Sequence, residues 1–235
     1  FENGFYHLYN RGVDKRDIFI DHQDYTVFLH FLKKYLTPKP IEETFEIPNS
    51  IRIAGYKPHP YETLFGKIDL IAYCLMPNHF HLLLQQKLRD SMTKLLKRVS
   101  NSYVTYFNKK YKRVGPLFQS IYKAANIDNE HYLLHVSRYI HLNPILCENA
   151  DVSASNEDRP RGPSLLRDGP QKEWSSYPDY LGTRKTDWLK PEVVLSYFNK
   201  TGRKSLNQKK INTYKNFVED YAAPAEEIIG PLALE

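Results

Sequence analysis

Cysteine is almost missing from this chain of 235 residues, with only Cys74 and Cys147 present. That excludes a disulfide framework and fits a reducing cytosol. No apolar run is long enough to cross a bilayer, and no stretch reads as a signal peptide. No internal repeat is present. Acidic residues are the minority charge, 27 against 33 Lys and Arg, giving a net charge of +6 and a pI near 9.1. The excess favours a polyanionic partner, nucleic acid first. With 18 Tyr and 12 Phe the chain is too aromatic for disorder throughout. Its length suits one domain plus an extension, or two small domains.

One stretch stands out, Cys74-Leu75-Met76-Pro77-Asn78-His79-Phe80-His81-Leu82-Leu83-Leu84. On a β-strand His79 and His81 share one face, and Phe80, Leu82 and Leu84 share the other, toward a core. The preceding residues 67–74 read as a strand and Pro77-Asn78 as a turn, so a hairpin presents the two histidines near its mouth. Two imidazoles on one face either sit in solvent or share a metal ion whose remaining positions are open to a third ligand and a substrate.

The other elements follow from spacing. Residues 5–10 read as a strand ended by Arg11-Gly12. Asp21 caps a helix whose apolar face is Tyr25, Phe28, Leu29, Leu32, Tyr35 and Leu36, and Thr37-Pro38 ends it. Residues 38–65 form a long loop excursion. Asp90 or Ser91 caps a second helix with Met92, Leu95, Leu96, Val99, Tyr103 and Tyr106 on its apolar face. Its basic residues Lys94, Lys97, Arg98, Lys109 and Lys110, with Lys112 and Arg113 beyond, are either a solvated face or a phosphate-contacting surface. On the second reading Tyr103, Tyr106, Phe107 and Tyr111 stack on bases. Residues 120–127 read as a further strand. Asp128 or Asn129 caps a third helix, which Pro144 is expected to end. Residues 149–172 read as a flexible linker, and the tail is mostly helical.

On that third helix Tyr139 and Asn143 lie one turn apart on one face. Tyr139 either packs as an ordinary core tyrosine or acts as a nucleophile beside a metal. Asn143 either ends the helix or lends its amide oxygen to a hard ion such as Mg²⁺ or Mn²⁺. His131 and His135, four apart, have zinc-like spacing but no matching Cys or carboxylate pair.

Five segments in order resemble one family. They are Tyr6-His7-Leu8-Tyr9-Asn10-Arg11-Gly12, the histidine stretch 73–83, Gly115-Pro116-Leu117-Phe118-Gln119, Arg138-Tyr139-Ile140-His141-Leu142-Asn143-Pro144, and Trp174-Ser175-Ser176-Tyr177. The chain is similar to the IS200-like single-tyrosine transposases, and most of all to the REP-associated tyrosine transposases. The resemblance implies an α+β fold, a ferredoxin-like antiparallel sheet flanked by helices (the HUH endonuclease core). Residues 1–148 would form the catalytic domain, with 38–65 an insertion, and 149–235 a linker and mostly helical extension. It implies cleavage and rejoining of single-stranded DNA beside a hairpin, through a 5′-phosphotyrosine on Tyr139. His79, His81 and Asn143 would hold Mg²⁺ or Mn²⁺. Arg11 joins Lys94, Lys97, Arg98, Lys109, Lys110, Lys112 and Arg113 as expected DNA contacts. A cytoplasmic, nucleoid-associated monomer or homodimer without membrane contact is expected. Two rival readings are a DNA-hairpin-binding protein without turnover and a phosphohydrolase that uses water. The chain departs from the family after Asn143-Pro144, and at Ile121, where a basic residue is frequent.

Overall fold

The computed structural model describes residues 1–39, 61–153, 171–199 and 214–219. Four antiparallel strands form its centre: β1 (Gly4–Arg11), β2 (Ile68–Met76), β3 (His79–Gln86) and β4 (Lys123–Ile127). Their spatial order is β2-β3-β1-β4. α1 (His22–Leu36) connects β1 to β2, and α2 (Ser91–Lys110) connects β3 to β4. Two interleaved β-α-β crossovers in this order are the ferredoxin-like arrangement that the family resemblance implies. α3 (Glu130–Ser153) follows β4.

The alternation of β3 divides the molecule into two layers. Phe80, Leu82 and Leu84, all fully buried, join α1 and α2 in one apolar cluster with Leu8 of β1. Truncating one of these large side chains to Ala would cost about 2–5 kcal/mol. On the other face Leu83 packs with Cys74, Met76 and the α3 residues Leu133, Val136, Tyr139 and Ile140. That layer is completed by Tyr177 and Tyr180 of α4 (Tyr177–Tyr180), Val194 of α5 (Glu192–Leu195), and Tyr214 and Val218 of the helical stretch 214–219.

Described parts of the expected extension therefore complete the core on the α3 face and cover the β2 edge. Ser176 N–H donates to the Tyr73 carbonyl at 2.9 Å, and Lys190 N–H to the Leu70 carbonyl at 2.8 Å. Buried His141 of α3 meets Ser176 Oγ at 2.7 Å and Tyr214 OH at 2.8 Å. The segment Trp174-Ser175-Ser176-Tyr177 is thus a clasp across β2 and α3.

Asp21 caps α1 as expected, accepting from Asp24 N–H. Asp90 holds the capping position of α2 in a left-handed conformation without a side-chain cap bond. Asn129 Oδ1 accepts from Tyr132 N–H at 2.7 Å and starts α3. The expectation that Pro144 ends α3 is wrong. The helix continues to Ser153 with Pro144 inside it, so residues 149–153 of the expected linker are helical. Proline removes only one helical N–H, and Pro144 is itself buried, so packing overrides the local preference. The remainder of the expected linker, 154–170, and most of the loop excursion, 40–60, lie outside the described residues. Among the described residues no helix is long and apolar enough to cross a membrane.

Candidate functional site

Register brings the site together. In the β1–β3 pairing Tyr9 lies opposite His81, Arg11 opposite His79 and His7 opposite Leu83. These five polar or aromatic side chains share the sheet face that α3 covers. β4 adds Lys123 opposite Tyr9, its ammonium 5.8 Å from the Tyr9 ring centre. From α3, Tyr139 stands edge-on to His81, with ring centres 5.2 Å apart, and to His7 at 6.0 Å. One chain therefore brings its own Tyr139 beside its own histidine pair.

The hairpin turn before His79 is held from outside. Gly12 N–H donates to the Asn78 carbonyl at 2.8 Å, and Ile18 and Phe19 N–H groups both donate to the Pro77 carbonyl. A side chain at position 12 would put its Cβ 2.2 Å from the Arg16 carbonyl oxygen, so only glycine fits. On the other flank buried Asn10 donates to the carbonyls of Ser120 and Ile121, both at 2.9 Å. That fixes where β4 begins and so where Lys123 lies.

Each histidine of the pair has one nitrogen engaged. His79 Nδ1 lies 2.6 Å from Asn78 Oδ1. His81 Nδ1 lies 3.0 Å from Nε2 of His7, both rings being fully buried. His81 Nε2 is buried and has no hydrogen-bond partner among the described residues. A buried polar atom left open is rare and suits a ligand position. Burial holds all three histidines neutral: His7 and His79 are pushed down to about 3, His79 with help from the Arg11 charge, and His81 lies well below its ordinary value. Neutral imidazole is the form that ligates metal. The donor set therefore fits a divalent ion at His79 and His81.

Asn143 lies half-buried one turn beyond Tyr139, and its Nδ2 donates to the Tyr139 carbonyl at 2.9 Å. Its Oδ1 is thereby the atom left for a third ligand. Among the described residues no three His, Cys, Asp or Glu side chains gather as a metal site. His131 and His135 do meet, with Nε2 atoms 3.0 Å apart, but among the described residues no third His, Cys, Asp or Glu joins them as a metal site.

The expected DNA contacts fall in four places. Arg11 is on the face of the histidine pair. Lys112 and Arg113 follow α2 at the end of the sheet where the hairpin turns, near enough for Arg113 to feel the Arg16 charge. Lys94, Lys97 and Arg98 belong to the first half of α2, behind the sheet, and Arg98 pairs with Glu62 at 3.7 Å. Lys110 is an internal ion-pair partner, 2.7 Å from Asp21 and 2.8 Å from fully buried Asp24. Exposed Lys109 lies beside it.

The base-stacking reading of the α2 aromatics is wrong for Tyr103, Tyr106 and Phe107, which are at most 2% exposed. The Tyr106 hydroxyl donates to Asp24, and the Tyr103 hydroxyl to the Ile18 carbonyl. Half-buried Tyr111 also bonds Asp24, at 2.8 Å. Sequence reasoning missed His7 and Lys123. Alternation along residues 5–11 puts His7 in phase with Arg11, but only the strand pairing shows what it faces.

Residues 65–143 match the family model described as "Transposase IS200 like". No curated protein matches the chain. A solved structure of a REP-associated tyrosine transposase bound to a REP hairpin is similar at a TM-score of 0.42 and 14% identity, over 62% of this chain and 69% of that one. The matched stretch carries both histidines, Tyr139 and Asn143, and is similar to the IS200-like transposases.

Proposed function

We propose that the protein cleaves and rejoins single-stranded DNA at hairpin-associated sites, with Tyr139 as the nucleophile. The observation that carries this reading is the edge-on approach of Tyr139 to His81, 5.2 Å between ring centres, on a face that also holds Arg11 and Lys123. The Tyr139 phenol oxygen attacks the scissile phosphorus and loses its proton. The bond from phosphorus to the 3′ oxygen breaks, and that oxygen takes up a proton as a free 3′ hydroxyl. The 5′ phosphate stays on Tyr139 as a phosphodiester, so a 3′ hydroxyl from a second strand reverses the step without ATP. Arg11 and Lys123 hold the phosphate by charge.

His79 Nε2, His81 Nε2 and Asn143 Oδ1 would hold Mg²⁺ or Mn²⁺. Such an ion supplies polarisation of a phosphate oxygen, which a phenol with an ordinary pKa near ~10 needs at neutral pH. His7 and Asn78 orient the two imidazoles. α3 and the tail clasp keep Tyr139 at the histidines of its own chain, so a monomer contains the whole constellation. A cytoplasmic location with the nucleoid is the corresponding setting.

Labelled single strands bearing a hairpin, incubated with protein and Mn²⁺ and run on a denaturing gel, test this reading. A protein–DNA adduct is the expected product. Binding without cleavage would indicate a hairpin-binding protein. Cleavage without an adduct would indicate hydrolysis by water.

A further inference from the structure

Neutral imidazole has one N–H and one lone pair. The 3.0 Å contact between His7 Nε2 and His81 Nδ1 therefore contains a single proton, which belongs to one ring or the other. If His81 donates it, His81 Nε2 is a lone pair and His7 has its own proton on Nδ1. If His7 donates it, His81 Nε2 is an N–H and cannot ligate a cation. His7 Nδ1 and His81 Nε2 are both buried without a hydrogen-bond partner among the described residues, so neither outer nitrogen decides the matter through a bond.

Charge decides it. Arg11 lies across from His79, and Lys123 across from Tyr9, which is itself across from His81. By register both cations lie toward His79 and His81 and away from His7, which favours a lone pair at His81 Nε2 over an N–H. The His7 end lies one residue pair deeper, between Leu83 and Ala125. We propose that His7 is a positioning residue that fixes His81 as its Nδ1–H tautomer, leaving the His81 Nε2 lone pair available on the Tyr139 face. His7 accepts one hydrogen bond and so sets both the ring orientation and the ligating atom of its neighbour. Its purpose rests on the strand-transfer reading, but the tautomer is measurable without it.

Long-range ¹H–¹⁵N correlation spectra of the histidine rings in the metal-free full chain give the first test. The expected result is a protonated Nδ1 and an unprotonated Nε2 on His81. A protonated Nε2 on His81 would overturn the proposal. The second test is titration with Mn²⁺ alone. His7→Phe keeps a ring but accepts no hydrogen bond, and should bind Mn²⁺ about 10–100-fold more weakly than the parent. His7→Gln, whose amide oxygen can accept the His81 proton, should recover most of that loss. Equal affinity of parent and His7→Phe would overturn the proposal. Should His7→Phe fail to fold, the parent spectrum and His7→Gln still decide. A parent that binds no Mn²⁺ would remove the metal reading, while the tautomer spectrum would still answer for His7.

Discussion

Lys110→Ala separates two roles for the basic second helix. The Lys110 ammonium lies 2.7 Å from Asp21 and 2.8 Å from Asp24 Oδ1, and Asp24 is fully buried. Asp24 also accepts from the Ile20 N–H, the Asp21 N–H and the hydroxyls of Tyr106 and Tyr111. Those four donors are neutral, and Lys110 is the cation that offsets the buried charge. Removing one partner of a buried pair typically costs about 3–5 kcal/mol. The Lys110 side chain keeps 19% of its exposure, so water replaces part of the loss and about 3 kcal/mol is the expected cost. For a chain of this size that corresponds to a drop in Tm of roughly 6–12 °C. Exposed Lys97→Ala is the control and should stay within about 0.5 kcal/mol. The assay is thermal melting without DNA, paired with hairpin-DNA affinity at several salt concentrations. Lys110→Ala should melt early and keep the parent's salt slope. An unchanged Tm with a flattened slope would instead make Lys110 a phosphate contact rather than an internal ion-pair partner.

Lys123→Ala should flatten the log–log salt dependence of single-strand binding by about 0.7, one phosphate contact, whereas Lys94→Ala should leave it unchanged. His79→Ala should abolish cleavage, as should chelation of the parent, and Mn²⁺ or Mg²⁺ should restore only the chelated parent; full activity in excess chelator would exclude the metal. Acid should unfold the protein early. His7, His79 and His141 are pushed down to about 3 by burial, from 6.5. Between those values the unfolded chain takes protons the folded chain refuses, so stability complete above pH 6.5 is lost as pH falls toward 3. Each such histidine should cost about 2 kcal/mol between pH 7 and pH 5, and a Tm that stays flat over that range would contradict the burial argument.

Local patterns made the hairpin readable. Strict alternation over His79–Leu84 put both histidines on one face and three apolar residues on the other, and the strand pairs that way. Helical phase put Tyr139 with Val136 and Ile140, and the same helix face meets the sheet at His7 and His81. Longer-range pairings stayed hidden. His7 lies 74 residues from His81 in sequence, and no periodicity links them. Lys110 reads as surface charge because its partners Asp21 and Asp24 lie 89 and 86 residues earlier. Tyr103 and Tyr106 read equally well as stacking platforms or core, because only the fold shows that their hydroxyls have internal acceptors. Pro144 obeys a local rule that burial overrides.

On the strand-transfer proposal Tyr139 forms the covalent bond to DNA. The most direct measurement is peptide mapping by mass spectrometry of protein trapped with a hairpin-bearing single strand, done in parallel on the parent and on Tyr139→Phe. That substitution removes one oxygen, so folding and hairpin binding should persist. The expected result is a nucleotide-modified peptide at Tyr139 in the parent, and neither adduct nor cleavage in Tyr139→Phe. An adduct on another residue, or cleavage by Tyr139→Phe at the parent's rate, would contradict it.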